Sequence, residues 1–256
     1  MPGRLGGIAE LVLVRHGESV GNLADRRARE RRAPRLELAT RDADVPLSPA
    51  GEHQADAVVQ HLRELKAQDR PTLVLASPYR RAADTAARAL AGVPCAPAPR
   101  YDERLRERDL GIFDGLTGSG ITAEFPQEAA RRARMGKFYY RPPSGESWCD
   151  VALRVRSVLA DLSGAPGPER VWVFSHQAVI MAFRLVLEGL SEQQVLAYDA
   201  KAPLANCSMT TYGRDSQGRL HLLVAGDTAA VDRSAAPLTH EPESLDKAAH
   251  GGSRGR

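Results

Sequence analysis

The chain has 256 residues, with 35 Lys and Arg against 32 Asp and Glu and an ordinary apolar share of 43%. That length suits one α/β domain with insertions, and a net charge of +3 gives no broad attraction to nucleic acid. Three cysteines, Cys95, Cys149 and Cys207, exclude a complete disulfide framework and read as reduced cytoplasmic thiols. No apolar run is long enough for a secretory signal or a membrane span, so a soluble, cytoplasmic protein is expected.

In chain order, Leu11-Val-Leu-Val14 predicts a buried strand that delivers Arg15 and His16 onto Gly17, where the backbone can turn sharply. Residues 26–35 form an Arg-rich insert. It reads as a surface helix ending near Pro34, or as a border of the site that attracts anions; interleaved aromatics, expected of a nucleic-acid patch, are lacking. Residues 52–66 predict an amphipathic helix whose buried face is Ala55, Val58, Val59, Leu62 and Leu65, with His53 and His61 turned away. Thr72-Leu-Val-Leu-Ala-Ser77 is a second short strand, and the Ala-rich residues 81–90 are a helix, which leaves Arg80 at the junction. Residues 171–176 repeat the theme, with His176 ahead of the apolar helical segment 178–187. Leu222–Val224 predicts an edge strand. From Thr228 the sequence loses periodicity and predicts a disordered tail over 228–256.

In a parallel sheet with right-handed crossovers, strand carboxyl ends lie on one side and bind the ligand. Arg15, His16, Arg80 and His176 would then converge into a cationic pocket for a small dianion such as phosphate. Neighbouring guanidinium charges favour a neutral His16, the form able to attack phosphorus, while the other groups stabilise the transferring phosphoryl oxygens. A leaving alkoxide needs a proton. Glu107 is the candidate acid, its carboxyl proton favoured by a facing phosphate, with Glu103 and Asp109 as competitors.

These residues resemble the histidine phosphatase superfamily, also called phosphoglycerate mutase-like. Arg15-His16-Gly17-Glu18-Ser19 with Asn22 matches its signature, Pro46-Leu47-Ser48 with Gly51 its next segment, and Ser77-Pro78 with Arg80 and Thr85 its second arginine motif. Glu107 with Gly111 resembles the acid motif and His176 the second histidine, over roughly residues 10–212. The resemblance implies a three-layer α/β/α sandwich with a mostly parallel central sheet and an inserted cap. It also implies a phosphohistidine on His16, phosphate binding by Arg15, Asn22, Arg80 and His176, acid–base work by Glu107, and no metal or cofactor. Residues 1–227 form the domain on this reading, with 23–45 and 115–147 as insert and cap segments.

Residues 137–147, followed by Asp150 and Arg154, resemble the phosphatase part of the bifunctional 6-phosphofructo-2-kinase/fructose-2,6-bisphosphatase family, as does the pair His176-Gln177. Pro142 and Ser144 depart from that pattern. The likeness implies Lys137, Tyr140, Arg141 and Gln177 as substrate-binding residues and a small phosphomonoester, such as a sugar phosphate, as partner, with neither nucleic acid nor membrane. Arg131 to Arg134 could assist. The expected function is hydrolysis through phosphohistidine. Mutase-type transfer is the alternative, and a non-catalytic phosphate-binding module a weaker one. The sequence leaves oligomeric state open, a homodimer included.

Overall fold

Alternation along the first strand explains the architecture. In the computed structural model, which describes residues 7–164 and 169–240, β1 (Ile8–Arg15) sends Ile8, Leu11 and Leu13 to one face and Val12 and Val14 to the other. The first face packs on α6 (Trp148–Ser163) and α7 (Gln177–Glu188), whose Val151, Val155, Ile180 and Phe183 are buried there. The second face packs on α2 (Pro49–Glu64) and α3 (Arg80–Leu90) through Val58, Leu62, Ala86 and Ala89. A strand apolar on both faces has to lie inside a sheet covered twice, and the result is the expected α/β/α sandwich.

Among the described residues, six strands form one sheet in the order β3-β2-β4-β1-β5-β6. Here β2 is Leu73–Ala76, β3 Arg100–Tyr101, β4 Glu169–Ser175, β5 Met209–Arg214 and β6 Leu220–Asp227. β1 to β4 run parallel, while β5 is antiparallel to both of its neighbours. Register aligns Arg15 with Ser175 and Ala76 with Phe174, so the three strand ends finish at one level. β6 is a full edge strand, longer than residues 222–224.

The helix α1 (Val20–Glu30) starts at a capping box in which Ser19 and Asn22 satisfy each other's backbone N–H groups, a device worth about 1 kcal/mol. Arg26–Glu30 therefore lie on this helix. The chain after it pairs with the second cap segment: Leu36 N–H donates to the Gly115 carbonyl at 2.8 Å and Thr117 N–H to the Pro34 carbonyl at 3.0 Å. Two further helices, α4 (Gly118–Glu124) and α5 (Pro126–Met135), continue the cap. Phe113, Leu116, Ile121 and Tyr140 give it a small core of its own.

α8 (Glu192–Lys201) follows α7. The predicted disorder from Thr228 is corrected for residues 228–240. α9 (Ala229–Asp232) places Ala230 and Val231 in the core beneath α2, and the chain beyond it pairs with the loop before β5. Two buried apolar residues suffice to dock so short a helix, a signal too brief to show as periodicity. Residues 241–256 lie outside the described ones. His61 also departs from expectation: it is half-buried, its ring centroid 6.2 Å from that of Trp172. All three cysteines are free. Among the described residues, no helix is long and apolar enough to cross a membrane.

Candidate active site

Gly17 begins a loop that is held on several sides. His16 N–H donates to the Ser175 carbonyl at 2.9 Å, and Cys207 N–H reaches the Arg15 carbonyl at 3.1 Å. Gly17 N–H donates to Thr85 Oγ1 at 3.0 Å. The start of α2 abuts the loop so closely that a Cβ on Gly51 would fall 1.9 Å from the Glu18 carbonyl oxygen. Arg15 is fully buried, and its guanidinium donates to the Leu204 carbonyl.

His16 Nδ1 lies 2.8 Å from the Gly17 carbonyl oxygen. A carbonyl can only accept, so Nδ1 carries the proton and Nε2 keeps the lone pair. His176, the residue before α7, sits with its ring centroid 5.1 Å from that of His16. Its Nε2 is 2.8 Å from Ser77 Oγ, which also accepts the Tyr79 N–H at 3.2 Å. His176 Nδ1 is buried and has no hydrogen-bond partner.

Both histidines are held well below the ordinary imidazole range. For His16 the causes are burial, then the charges of Arg81 and Arg15; the Gly17 hydrogen bond opposes them. For His176 they are burial, then Arg81, His16, Arg15 and Arg154. Each ring is therefore neutral at pH 7. Folding excludes protons that the unfolded chain binds below pH 6.5, so this contribution to stability is complete above that pH. It is lost as pH falls toward the folded-state values, at up to about 2.7 kcal/mol per pH unit for two histidines. Urea midpoints are expected to drop between pH 7 and pH 5.5, and a flat or rising midpoint would refute the assignment.

The second arginine of the pocket is Arg81, not Arg80. Arg80 is exposed and pairs with Asp84 at 3.4 Å, one helical turn along α3. Arg81 is 5% exposed and lines the crevice with His16. Asp42 grips it at both ends of the guanidinium, at 2.8 and 3.2 Å, and the Tyr79 ring lies 5.4 Å from its central carbon. The reason is register: position 81 shares α3's buried face with Ala82, Thr85, Ala86 and Ala89.

The crevice encloses about 580 Å³. Asn22 lines it; its Oδ1 accepts from Ser19 N–H, Ser19 Oγ and Asn206 Nδ2, so its Nδ2 is the group able to donate to an anion. Glu107 lines it too, held by the Arg108 N–H at 2.7 Å. Of the competitors, Asp109 borders the crevice and accepts the Gly111 N–H at 2.7 Å, whereas Glu103 is not among the lining residues. Asp114 is a further carboxyl there, its pKa raised by burial and by Asp42. Arg29 and Arg35 reach the same wall, so the Arg-rich insert does border the site.

The other expected substrate residues divide. Lys137 Nζ and Gln177 Nε2 each donate to Asp199 at 2.8 Å. The Lys137 amine and the Arg108 guanidinium lie 5.3 and 5.9 Å from the Trp148 ring centre, both inside cation–π range. Burial lowers the pKa of Arg108 and Lys137 and, with Arg108 beside it, pushes Arg132 down to about 10. Gln177 Oε1 and Trp148 Nε1 are buried without partners. By contrast, Tyr140 is not brought to the crevice: it is 2% exposed in the cap core, and its hydroxyl donates to Glu128 at 2.7 Å. Arg141 faces solvent and pairs with Asp150 at the start of α6. Alternation around residues 138–141 sends successive side chains to different sides, which the motif alone does not display. Sequence reasoning missed Arg108, Asp42, Asp199 and Trp148 as site neighbours. Only the position of Arg108 beside Glu107 could have signalled one of them.

The chain matches the model of the histidine phosphatase superfamily (branch 1) over residues 11–226. It is 33% identical over 208 residues to glucosyl-3-phosphoglycerate phosphatase of Mycobacterium tuberculosis, covering 78% of this chain and 83% of that one. A 6-phosphofructo-2-kinase/fructose-2,6-bisphosphatase of Caenorhabditis elegans is 33% identical over 171 residues, 66% of this chain and 32% of that protein. The solved mycobacterial glucosyl-3-phosphoglycerate phosphatase superposes with a TM-score of 0.65 at 30% identity, covering 86% of this chain and 99% of that one. Fold, motif order and sequence agree: the chain belongs to the histidine phosphatase superfamily.

Proposed function

We propose that the chain hydrolyses a small sugar-linked phosphomonoester that carries a second acidic group. The single observation that carries the chemistry is the His16 tautomer: Nδ1 tied to the Gly17 carbonyl leaves Nε2 as a neutral nucleophile, kept so by burial and the charges of Arg81 and Arg15. Nε2 attacks phosphorus, the P–N bond forming as the ester P–O bond breaks. Glu107 gives its proton to the leaving alkoxide, then takes one from the water that attacks phosphohistidine. Phosphate leaves and neutral His16 returns. Arg15, Arg81, Asn22 Nδ2 and His176 bind the equatorial oxygens, whose charge grows in the transition state.

The second acidic group is inferred from three half-buried cations that face one another: Arg108, which lines the crevice beside Glu107, with Lys137 and Arg132 next to it. A carboxylate or phosphate on a substrate would be attracted to this cluster of positive charge. The named substrate of the mycobacterial relatives, glucosyl-3-phosphoglycerate, has such a group.

The test is phosphate release from glucosyl-3-phosphoglycerate, a sugar bisphosphate and a simple sugar monophosphate. The first two are expected to give kcat/KM at least about tenfold higher, a difference of about 1.4 kcal/mol. Arg108→Leu should shrink that preference toward unity. Equal use of all three by the native chain refutes the second-group reading, and an isomerised product without free phosphate refutes hydrolysis in favour of a mutase.

A further inference from the structure

Pro237–His240 lie behind the catalytic loop, and two buried amide side chains connect them to it. Asn206, fully buried, donates from Nδ2 to the His16 carbonyl at 3.1 Å. Gln54, equally buried, accepts the Glu18 N–H at Oε1 at 2.8 Å. The other ends of both amides converge on one hydroxyl. Thr239 Oγ1 donates to Asn206 Oδ1 at 3.0 Å and accepts Gln54 Nε2 at 2.7 Å. Backbone contacts reinforce the junction: Gln54 Nε2 reaches the Pro237 carbonyl at 2.7 Å, and Asn206 N–H reaches the Thr239 carbonyl at 2.9 Å. Val231, with no exposed surface in the core, anchors the segment from its other end.

We infer that Pro237–Thr239 is a strap that positions the nucleophile, with Thr239 as its positioning residue. It touches no substrate. It fixes the His16 carbonyl through Asn206 and the Glu18 amide through Gln54, so the loop is gripped on both sides of Gly17. Without the hydroxyl, Asn206 Oδ1 loses its side-chain donor and Gln54 loses one acceptor, and both amides can turn about their last torsion. Their far ends, which hold the loop, turn with them. In-line attack is sensitive to such motion, since a misplacement of about 1 Å can cost on the order of 10²-fold in rate. Binding of the anion by two arginines is less sensitive to it.

The inference rests on His16 as nucleophile. It is tested in the full chain with Thr239→Val, which keeps the shape and removes the hydroxyl, and Thr239→Ser, which keeps the hydroxyl. At a temperature where all variants are folded, Thr239→Val is expected to lower kcat about tenfold while the inhibition constant of inorganic phosphate moves less than twofold. Thr239→Ser should retain the native kcat. Hydrogen exchange should quicken in Thr239→Val at the amides of residues 16–18 and 205–208, and stay unchanged in β4. A native kcat in Thr239→Val, a phosphate inhibition constant that rises as much as kcat falls, or unchanged loop exchange overturns the strap. A native chain inactive on every phosphomonoester would defeat the reading of the site, while the exchange measurement still decides whether the strap holds the loop.

Discussion

Replacing His16 by Asn is expected to lower kcat on the order of 10⁴-fold or more, equivalent to about 5 kcal/mol of transition-state stabilisation. The fold should survive, because the Asn amide can donate to the Gly17 carbonyl in place of Nδ1–H, which lies 2.8 Å from it. What disappears is the lone pair. His176 Nε2 cannot take over without losing its contact with Ser77 Oγ, which lies 2.8 Å away. Rapid acid-free quenching of turnover on a phosphorylated substrate should trap phosphate on the native chain and none on His16→Asn. Phosphate trapped on the variant at His176 would reverse the roles of the two histidines.

Arg81→Ala is expected to cost about 10²- to 10³-fold in kcat, the magnitude typical of losing one preorganised donor to a developing anion. Arg80→Ala should stay within about twofold, because an exposed pair one turn apart contributes only about 0.3–0.5 kcal/mol to stability. The neighbouring substitutions thus separate two residues that the motif alone confuses. Arg81→Ala also removes a charge that lowers the pKa of both histidines. Their pKa values should rise, and the acid limb of kcat/KM, measured per substrate dianion, should move to higher pH. Equal losses for the two variants, or a larger one for Arg80→Ala, would discard the assignment. Arg81→Lys is not a conservative control, since an ammonium cannot reproduce the fork that Asp42 grips at 2.8 and 3.2 Å.

The histidines were legible because each follows a β-branched run that can only be a buried strand, and a parallel sheet places such strand ends together. Arg80 does not line the crevice, and the periodicity of α3 already separates it from Arg81. Arg80, Asp84 and Arg88 form one polar stripe on α3, while Arg81 shares the apolar stripe of Ala82, Thr85, Ala86 and Ala89. A buried arginine on such a stripe needs a partner or a ligand. The likeness that implies Tyr140 and Arg141 is a linear match, but binding depends on which side of the cap each side chain leaves, and Tyr140 is consumed by the cap's own core.

By itself the sequence determined the strands that end in His16 and His176, and its family resemblance implied the sandwich with a mostly parallel sheet. Strand and helix periodicity are local, and they oblige the apolar faces to meet. Only the tertiary structure decided which nitrogen of His16 is left to react, and that residues 237–240 reach back to the loop. Those outcomes depend on contacts between segments as much as 190 residues apart, as Asn206 to His16 illustrates. Spacing along the chain carries no trace of such contacts; they follow from the burial of polar groups, each of which must find a partner wherever the packed fold supplies one.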